Sequence, residues 1–533
     1  MQFLRFLEKQ FDKAFIMPIR SMKRRYVPLL LIYFSYGLAG FSAIALSFWE
    51  KESLSLSAEQ LISISVWVMV PWTLKMVFGQ MVDSVKLFGN RRKSYIFLGA
   101  FLMIIGSILL AGLAGRHEWV MWIGNQYALY LLSAIFMTFG FVIQDVTADT
   151  MTTEVVERTE MKNGKRVKRS DSAIQSELSM VQLLGRLALS FAAFSVAGLG
   201  GWLAQNIPYE TIFWMTLLIP LLSCVGVLFI RLEQIEDHER KPLNKQILFW
   251  GLIFAVFSVV MAVQNVPFSQ EIVFGVSLVL LSAMMYLVTK DLPRAQFRIL
   301  VMTLLVLFFY RLTPYTGPGL QWWMIDSLGF NQAFFGILAQ LGALIALLVL
   351  WLFSDLITNK PIRAVLIFLV CMDALMSLPE LGLYLGLHET FGLSAHTVAL
   401  FDTALGSPLV NISMVPLLAL LAFYAPAGYR GTWFAIGASL MNLALSGGRI
   451  LTKYLNKIFV VTREVLDEHG AVLVNEDYSE LGILMAVRLL VGFLIPILAI
   501  LFFLKKKPRI MKEAVVDDLS ERGPIPPQKR VEE

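Results

Sequence analysis

Long apolar runs, each close to the length needed to cross a hydrocarbon core of about 30 Å, follow one another along most of this 533-residue chain. Lipid offers no water to bond the backbone N–H and C=O groups, so each run is predicted to be a helix. Fourteen spans are expected, near 27–49, 60–82, 94–114, 123–145, 173–197, 208–230, 247–267, 271–289, 299–320, 331–354, 362–386, 395–423, 432–456 and 480–504. A polar linker, Glu233 to Lys245, follows the sixth run, and a short joint around Ser269 links the seventh and eighth. The organisation is therefore six, two, six. It gives a leader (1–26), a first six-helix half (27–231), a linker with an extra hairpin (232–298), a second six-helix half (299–504) and a polar, disordered tail (505–533). The leader sets Phe3, Leu4, Phe6, Leu7, Phe11 and Phe15 among Arg5, Lys9 and Lys13, the pattern of an amphipathic helix lying at an interface. No cleavable signal is expected, because Glu8 and Asp12 precede a first run of full spanning length.

Composition agrees with the pattern. Charged residues are 16% and apolar residues 57% of the chain, against about 25% charge in a soluble domain. Mean hydropathy is +0.68. The net charge of +6 does not point to nucleic acid, because the cations sit in alternate loops, as the positive-inside rule requires. One set of loops holds Arg20, Lys23, Arg24 and Arg25, then Lys86, Arg91, Arg92 and Lys93, then Arg158, Lys162, Lys165, Arg166, Lys168 and Arg169. The series continues with Arg231, Arg240, Lys241 and Lys245, with Lys290, Arg294 and Arg298, with Lys360 and Arg363, and with Lys505 to Lys507 and Arg509. The other set offers little beyond Lys51, Arg116 and Arg463. An even number of spans with both termini in the cytoplasm is expected. Cys224 and Cys371 both fall inside apolar runs, so no disulfide is expected.

The two sixes share a weak repeat: the second span of each ends in an acid before a basic loop, Asp83 before Arg91 and Arg92, and Asp355 before Lys360 and Arg363. Two parallel six-helix repeats with a site between them are the plan of major facilitators. The run Gly79, Asp83, Gly89, Arg91, Arg92 resembles that superfamily's loop signature; a generic positive-inside loop is the bland alternative. Pro71-Trp72-Thr73-Leu74-Lys75, running on to Asp83-Ser84 and Phe88-Gly89, resembles the folate–biopterin transporter family. So do Gln144-Asp145 with Asp149, Thr313-Pro314 with Leu328-Gly329-Phe330 and Gly336, and Met414-Val415-Pro416 with Ala425-Pro426, Gly431-Thr432 and Phe434-Ala435. The resemblance covers roughly residues 30–460, discontinuously. It departs at Met76, where the family often has proline, and the extra pair at 247–289 is not a family requirement. Gln144-Asp145 and Phe88-Gly89 with the paired arginines also resemble muropeptide permeases and acetyl-coenzyme A transporters.

A charge at mid-bilayer costs about 2.5–3.5 kcal/mol on insertion scales, so such residues face a cavity or a partner. Lys75, Arg186, Arg311, Arg449 and Arg488 qualify. The resemblance to major facilitators puts the first four on cavity-lining helices and Arg488 on a peripheral one. Four cations on one cavity imply an anionic substrate, since the arginine fork matches carboxylate and phosphate. The alternative is a structural acid for each, such as Glu177 for Arg186 or Asp402 for Arg449. Glu177 and Asp402 are also the expected proton-coupling groups, because burial raises a carboxylate's pKa. Asp145 and Asp149, one turn apart on one face, are expected to form a cytoplasmic gate with Asp83, Arg91 and Arg92, or else to be a solvated helix end. Asp373 and Glu380 share a face, and one of them is expected to pair with Arg488. Trp72, beside Lys75, is a stacking platform for a flat ring or a packing residue. Trp322 and Trp323 are expected in the interfacial belt.

The five histidines lie in loops or tails without metal-ligand spacing, and no Gly-rich phosphate loop occurs, so neither an enzyme nor an ATP-driven pump is expected. A channel, an assembly factor on a transporter fold and a fourteen-span drug exporter fit less well. The reading is an all-α polytopic membrane protein of major facilitator fold, two six-helix halves plus a two-helix insertion. As implied by the resemblance, it carries a folate- or pterin-like organic anion with protons, by alternating access, as a monomer in a bacterial inner membrane and without a cofactor. Another large anion (a muropeptide, an acyl-coenzyme A or a carboxylate siderophore) is the runner-up.

Overall fold

The computed structural model describes residues 11–12, 16–89, 92–157, 159–162, 165–229, 245–263, 266–290, 292–358, 362–404, 406, 417, 430–466 and 471–504, a number of them, Asp83, Asp355, Thr432 and Phe434 included, in backbone only. Most of the amphipathic leader, the 233–244 linker, Arg91, Lys360, residues 407–416 and 418–423 of the twelfth expected span, Ala425-Pro426 and the tail lie outside the described residues.

The chain is mostly helical, and among the described residues eight helices are long and apolar enough to cross a membrane by length and composition. Residues 54–57, 312–317, 459–466 and 471–480 lie at one end of the bundle, the upper end, and residues 85–89, 92, 155–157 and 165–170 at the other, the lower end. The first bundle opens with α1 (Val27–Leu38), which passes through a 3-10 turn into α2 (Ala43–Ser53). It continues with α3 (Ala58–Thr73), α4 (Lys75–Ser84), α5 (Lys93–Ala114), α6 (Gln126–Glu154), α7 (Asp171–Asn206), α8 (Tyr209–Met215) and α9 (Leu218–Phe229). The inserted hairpin is α10 (Lys245–Val263) and α11 (Ser269–Thr289). The second bundle comprises α12 (Arg294–Arg311), α13 (Pro318–Asp326), α14 (Gln332–Thr358), α15 (Ile362–Met376), α16 (Leu378–Tyr384), α17 (Arg430–Ile458) and α18 (Leu481–Phe503).

Local chemistry explains the helix ends. Ser57 and Gln60 form a reciprocal capping box at α3, satisfying two backbone donors that a helix start leaves orphaned. Asn125 and Ser170 cap α6 and α7 one-sidedly, each side-chain oxygen accepting from the backbone N–H three residues on, Ala128 and Ala173. Both helices outrun the expected spans, α6 to Glu154 rather than 145 and α7 to Asn206 rather than 197. Intrahelical bonding does not require apolar side chains, so hydropathy marks the membrane slab and not the helix end. The expected 299–320 span instead stops at Arg311. Pro314 disfavours helix at the residue before it, and the chain restarts only at Pro318 after Gly317 at φ +98°.

Close helix packing depends on small residues. A Cβ on Gly140 would sit 2.4 Å from the Gly99 carbonyl oxygen, so α5 and α6 touch backbone to backbone. The first bundle buries Leu29, Ile32, Ile96, Met151 and Val181 in one core; the second buries Leu304, Leu307, Leu366, Met441 and Ile500 in another. The bundles meet where α3 packs on α17 and α7 on α14. At the second contact a Cβ on Gly201 would lie 2.5 Å from the Gly336 Cα. The hairpin lies across the first seam, with Gly251 against Val77 of α4 and Phe274 against Gly447 of α17. Two small antiparallel hairpins complete the fold: β1 (Thr159–Lys162) with β2 (Lys165–Lys168), and β3 (Val465–Leu466) with β4 (Val472–Val474).

Candidate functional site

Pro71 cannot donate a backbone hydrogen bond, and proline is a common cause of helix interruption. The break falls at Leu74, whose N–H is shared between the Val70 and Pro71 carbonyls at 3.3 and 3.2 Å. The helix resumes at Lys75. From this break the Lys75 Nζ reaches Asp145 Oδ2 at 2.6 Å and Asp149 Oδ2 at 2.7 Å. The two aspartates lie at i and i+4 of α6, on one face, which is why one ammonium serves both. Tyr33 of α1 donates to Asp149 Oδ1 at 2.8 Å, and its hydroxyl also lies in the field of Arg186. Beside this group the Tyr36 ring stands 5.5 Å from Phe141 and 6.2 Å from Trp72. A small void lined by Ile32, Tyr33, Tyr36, Phe141, Gln144 and Asp145 opens on it.

Several sequence expectations change here. Asp145 and Asp149 do not pair with Arg92; they hold Lys75. Arg92 instead reaches Glu154, with Nε at 2.9 Å, and donates to the Val82 carbonyl at 2.6 Å. Glu154 stands about 13 Å along the helix axis from Asp145 at 1.5 Å per residue. Asp83 in its side chain and Arg91 altogether lie outside the described residues.

Glu177 is neither beside Arg186 nor suited to exchange protons. Nine residues turn a helix by two and a half turns, so the two face opposite ways. Glu177 lies below the apolar window of α7, which begins at Met180. It accepts from Lys23 at 2.7 Å, Arg25 at 2.8 Å, Arg169 at 2.5 Å and the Tyr26 hydroxyl. Burial alone would raise its pKa, but the bonds from Lys23, Tyr26, Arg169 and Arg25 outweigh that and hold it at about 2.

Arg186 is exposed on α7. Arg449 forms no ion pair with Asp402; its Nη1 donates to the Ser65 carbonyl of α3 at 2.5 Å, bridging the bundles. The Arg311 Nε is buried with no hydrogen-bond partner among the described residues. Asp402 lies in the fields of Glu380 and Arg488, and Arg488 donates to Ser377 at 2.9 Å. Trp322 and Trp323 are not belt residues, being only 2% and 7% exposed.

The reason lies in Arg463, which follows α17 and in the sequence is only one of the few cations of the sparsely charged loops. Its guanidinium stands 5.1 Å over the Trp322 ring and donates to the Leu54 carbonyl of the first bundle. Burial pushes it down to about 10, so it stays charged at neutral pH. Around it the upper ends of the bundles are joined by Lys51 to Asp326 at 2.6 Å and by Gln321 to Ser47 at 2.9 Å, and within the second bundle the Tyr478 hydroxyl donates to Asp326 at 2.5 Å. Gln340 accepts from the Gly198 N–H at 2.8 Å. The hairpin adds a clasp: Gln270 donates to the Ser63 carbonyl at 3.0 Å and accepts from Lys453 at 3.0 Å, and Lys453 pairs with Glu271 at 2.5 Å. Lys453 and Glu271 sit inside expected spans, and that alone could have flagged them.

The profile of the BT1 family matches residues 36–527. The folate-biopterin transporter of Synechocystis is 27% identical over 85% of this chain and 79% of its own. Folate transporter 2 of Plasmodium falciparum is 21% identical over 81% of each chain. Among solved structures, a POT family transporter in complex with 5-aminolevulinic acid superposes with a TM-score of 0.64 at 13% identity, covering 91% of this chain and 97% of that one. The inward open conformation of the xylose transporter XylE from E. coli does so with 0.54 at 13% identity, covering 92% and 98%. The fold is that of these transporters, as the two-bundle reading anticipated.

Proposed function

The chain belongs to the BT1 family, a family of membrane transporters and not of enzymes, and from that premise we propose that it is a secondary active transporter of a folate- or pterin-like organic anion. Transport is coupled to protons and proceeds by alternating access. The observation that carries this reading is the Lys75 ammonium, presented at a helix break between two carboxylates and next to an aromatic-walled void. An ammonium offers a substrate carboxylate a charge-assisted bond, and the Tyr36, Phe141 and Trp72 rings offer a flat heterocycle a stacking surface. Arg311, with a buried unpaired Nε, and Arg449, on the opposite bundle, are the further anion-binding groups, with Arg186 on α7.

The basic loops assign the lower end to the cytoplasm, which gives fourteen spans with both termini inside and the six, two, six division at 231 and 298. In that orientation the closed upper end excludes an outward-open conformer. Opening it must break Lys51–Asp326 and withdraw Arg463, as a switch with differential contacts requires. Asp83 and Arg91 keep a cytoplasmic gating role in the opposite state. The cyanobacterial relative supports a bacterial cytoplasmic membrane, and the joined bundles form a transport unit as a monomer. The test is uptake of radiolabelled folate into proteoliposomes with and without an inward proton gradient. Gradient-dependent accumulation, competed by unlabelled pterin and lost in Arg311→Gln, is expected. Folded protein that takes up no folate under either condition would overturn the substrate assignment.

A further inference from the structure

We propose that Asp145 is the proton carrier, and that it couples proton to substrate by competing with the substrate's carboxylate for the Lys75 ammonium. The inference deepens the transport reading above and rests on it. Two carboxylates share one cation here, so the group carries one negative charge more than its ammonium balances. The two acids are not equivalent. Asp149 accepts from Lys75 and from Tyr33, and its side chain is 46% exposed. Asp145 is 15% exposed and, among the described residues, is held by Lys75 alone. Its charge therefore depends on Lys75, whereas Asp149 keeps a hydroxyl donor and water if the ammonium leaves.

The exchange follows from that dependence. When a substrate carboxylate takes Lys75, an ionised Asp145 would remain buried without a counter-charge, which costs several kcal/mol; it takes a proton instead. The step balances: ionised Asp145 on Lys75, plus a substrate carboxylate and one proton, becomes neutral Asp145 with the carboxylate on Lys75. The charge of the site does not change, and one proton travels with each carboxylate bound. Loss of the proton restores the Asp145–Lys75 pair and expels the anion. The void beside Asp145 gives the aromatic part of the substrate a wall at the exchanging groups.

Other charges leave this competition undisturbed. Helix α1 presents Tyr33 and Tyr36 to the aspartates, α4 presents Lys75, and α6 itself adds Asp149. Arg186 of α7 acts on Tyr33. Arg92, before α5, is engaged by Glu154. Gln144, next to Asp145, donates to the Ile96 carbonyl at 2.9 Å and to Ser223 at 2.8 Å, so its amide is committed to packing α6 against α5 and α9.

The test uses full-length protein in proteoliposomes, comparing wild type with Asp145→Asn, Asp145→Glu and Asp149→Asn. Wild type should concentrate folate on a proton gradient, and its folate affinity should fall by up to about tenfold per pH unit as Asp145 ionises. Asp145→Asn should show pH-independent affinity and no accumulation driven by the gradient. Asp145→Glu should restore both, and Asp149→Asn, at whatever rate it transports, should keep the pH dependence of folate affinity. Calorimetry of folate binding to wild type in two buffers of different ionisation enthalpy should report proton uptake, and this readout stands even if Asp145→Asn does not fold. Zero proton uptake, or gradient-driven accumulation by Asp145→Asn, overturns the proposal while leaving transport intact. Wild type that binds and moves no folate overturns the transport reading itself, and this inference with it.

Discussion

Single residues here do work that their charge alone does not announce. Lys75 is a counter-ion to two aspartates before it is anything to a substrate, and Glu177 is a lower-end hub for Lys23, Arg25 and Arg169. Replacing Glu177 with Gln should leave three cations facing each other across one neutral amide. A loss of about 1–3 kcal/mol is expected at neutral pH, the range for orphaning charged hydrogen-bonding groups, read as a lowered Tm in detergent. The pH dependence has a definite sign. The folded-state pKa of about 2 lies below the ordinary 4.5, so the contribution is full above about pH 4.5 and fades as the pH falls toward 2. The gap between wild type and Glu177→Gln should therefore close on acidification, and a gap that widens would contradict the assignment. Arg463 makes the complementary case. Replacing it with Ala removes the cation over Trp322 and the donor to Leu54; reaction of a cysteine placed at Leu54 with an impermeant thiol reagent should then quicken, reporting a looser upper end.

At the scale of elements, periodicity and length located the apolar helices but not their ends or their breaks. The continuation of α6 beyond 145 carries Thr147, Asp149, Thr150, Thr152 and Glu154, and these polar side chains lower its hydropathy, so the expected span stops short of the helix end. Yet this continuation is what brings Asp145 and Asp149 down to Lys75. The break at Leu74 was foreshadowed by Pro71, and the Pro-Trp…Lys motif was legible as a feature. Its partners were not, because the pairing depends on how α4 is rotated against α6, and a sequence without partners on the page does not encode that rotation visibly. The β1–β2 hairpin was in principle readable, since Asn163-Gly164 between short polar strands is a turn signal, but in a basic loop its charge drew the eye first. Helix contact through glycine carries its own prediction. A methyl at Gly140 meets the Gly99 carbonyl and the Met103 backbone nitrogen, at 2.4 and 2.9 Å, and backbone cannot move aside as a side chain can. Gly140→Ala should destabilise by about 1–3 kcal/mol through overpacking, seen as a lowered Tm, whereas Gly275→Ala, which meets nothing within 4 Å, should be near neutral.

For the whole molecule, the question is how two bundles, whose apolar packing is shared through the hairpin and Trp322, stay joined above and still part during a cycle. Beside the close approach of Gly201 to Gly336 and the Phe48–Phe335 ring pair, polar contacts join them: Arg449 on Ser65, Gln340 on Gly198, Gln321 on Ser47, Lys51 on Asp326, and the hairpin's Gln270 touching both Ser63 and Lys453. An apolar seam of the same extent would close more firmly and open more slowly. Hydrogen bonds and ion pairs can be traded for water at modest net cost, because each is worth about 0.5–1.5 kcal/mol once solvent competes. Lys51 and Asp326 give this argument a direct test, since both are partly exposed, at 14% and 21%, and each belongs to a different bundle. Lys51→Asp alone sets two acids against each other, and Asp326→Lys alone sets two cations; each should favour the upper-open state and cut folate uptake several-fold. The double exchange restores an attractive pair with its polarity reversed. If the pair is a lock between bundles, uptake should return toward wild type, with a coupling energy of about 0.5–3 kcal/mol in the double-mutant cycle. Effects of the two single changes that simply add would mean that the upper end is held shut by Arg463 and the hairpin clasp without this pair.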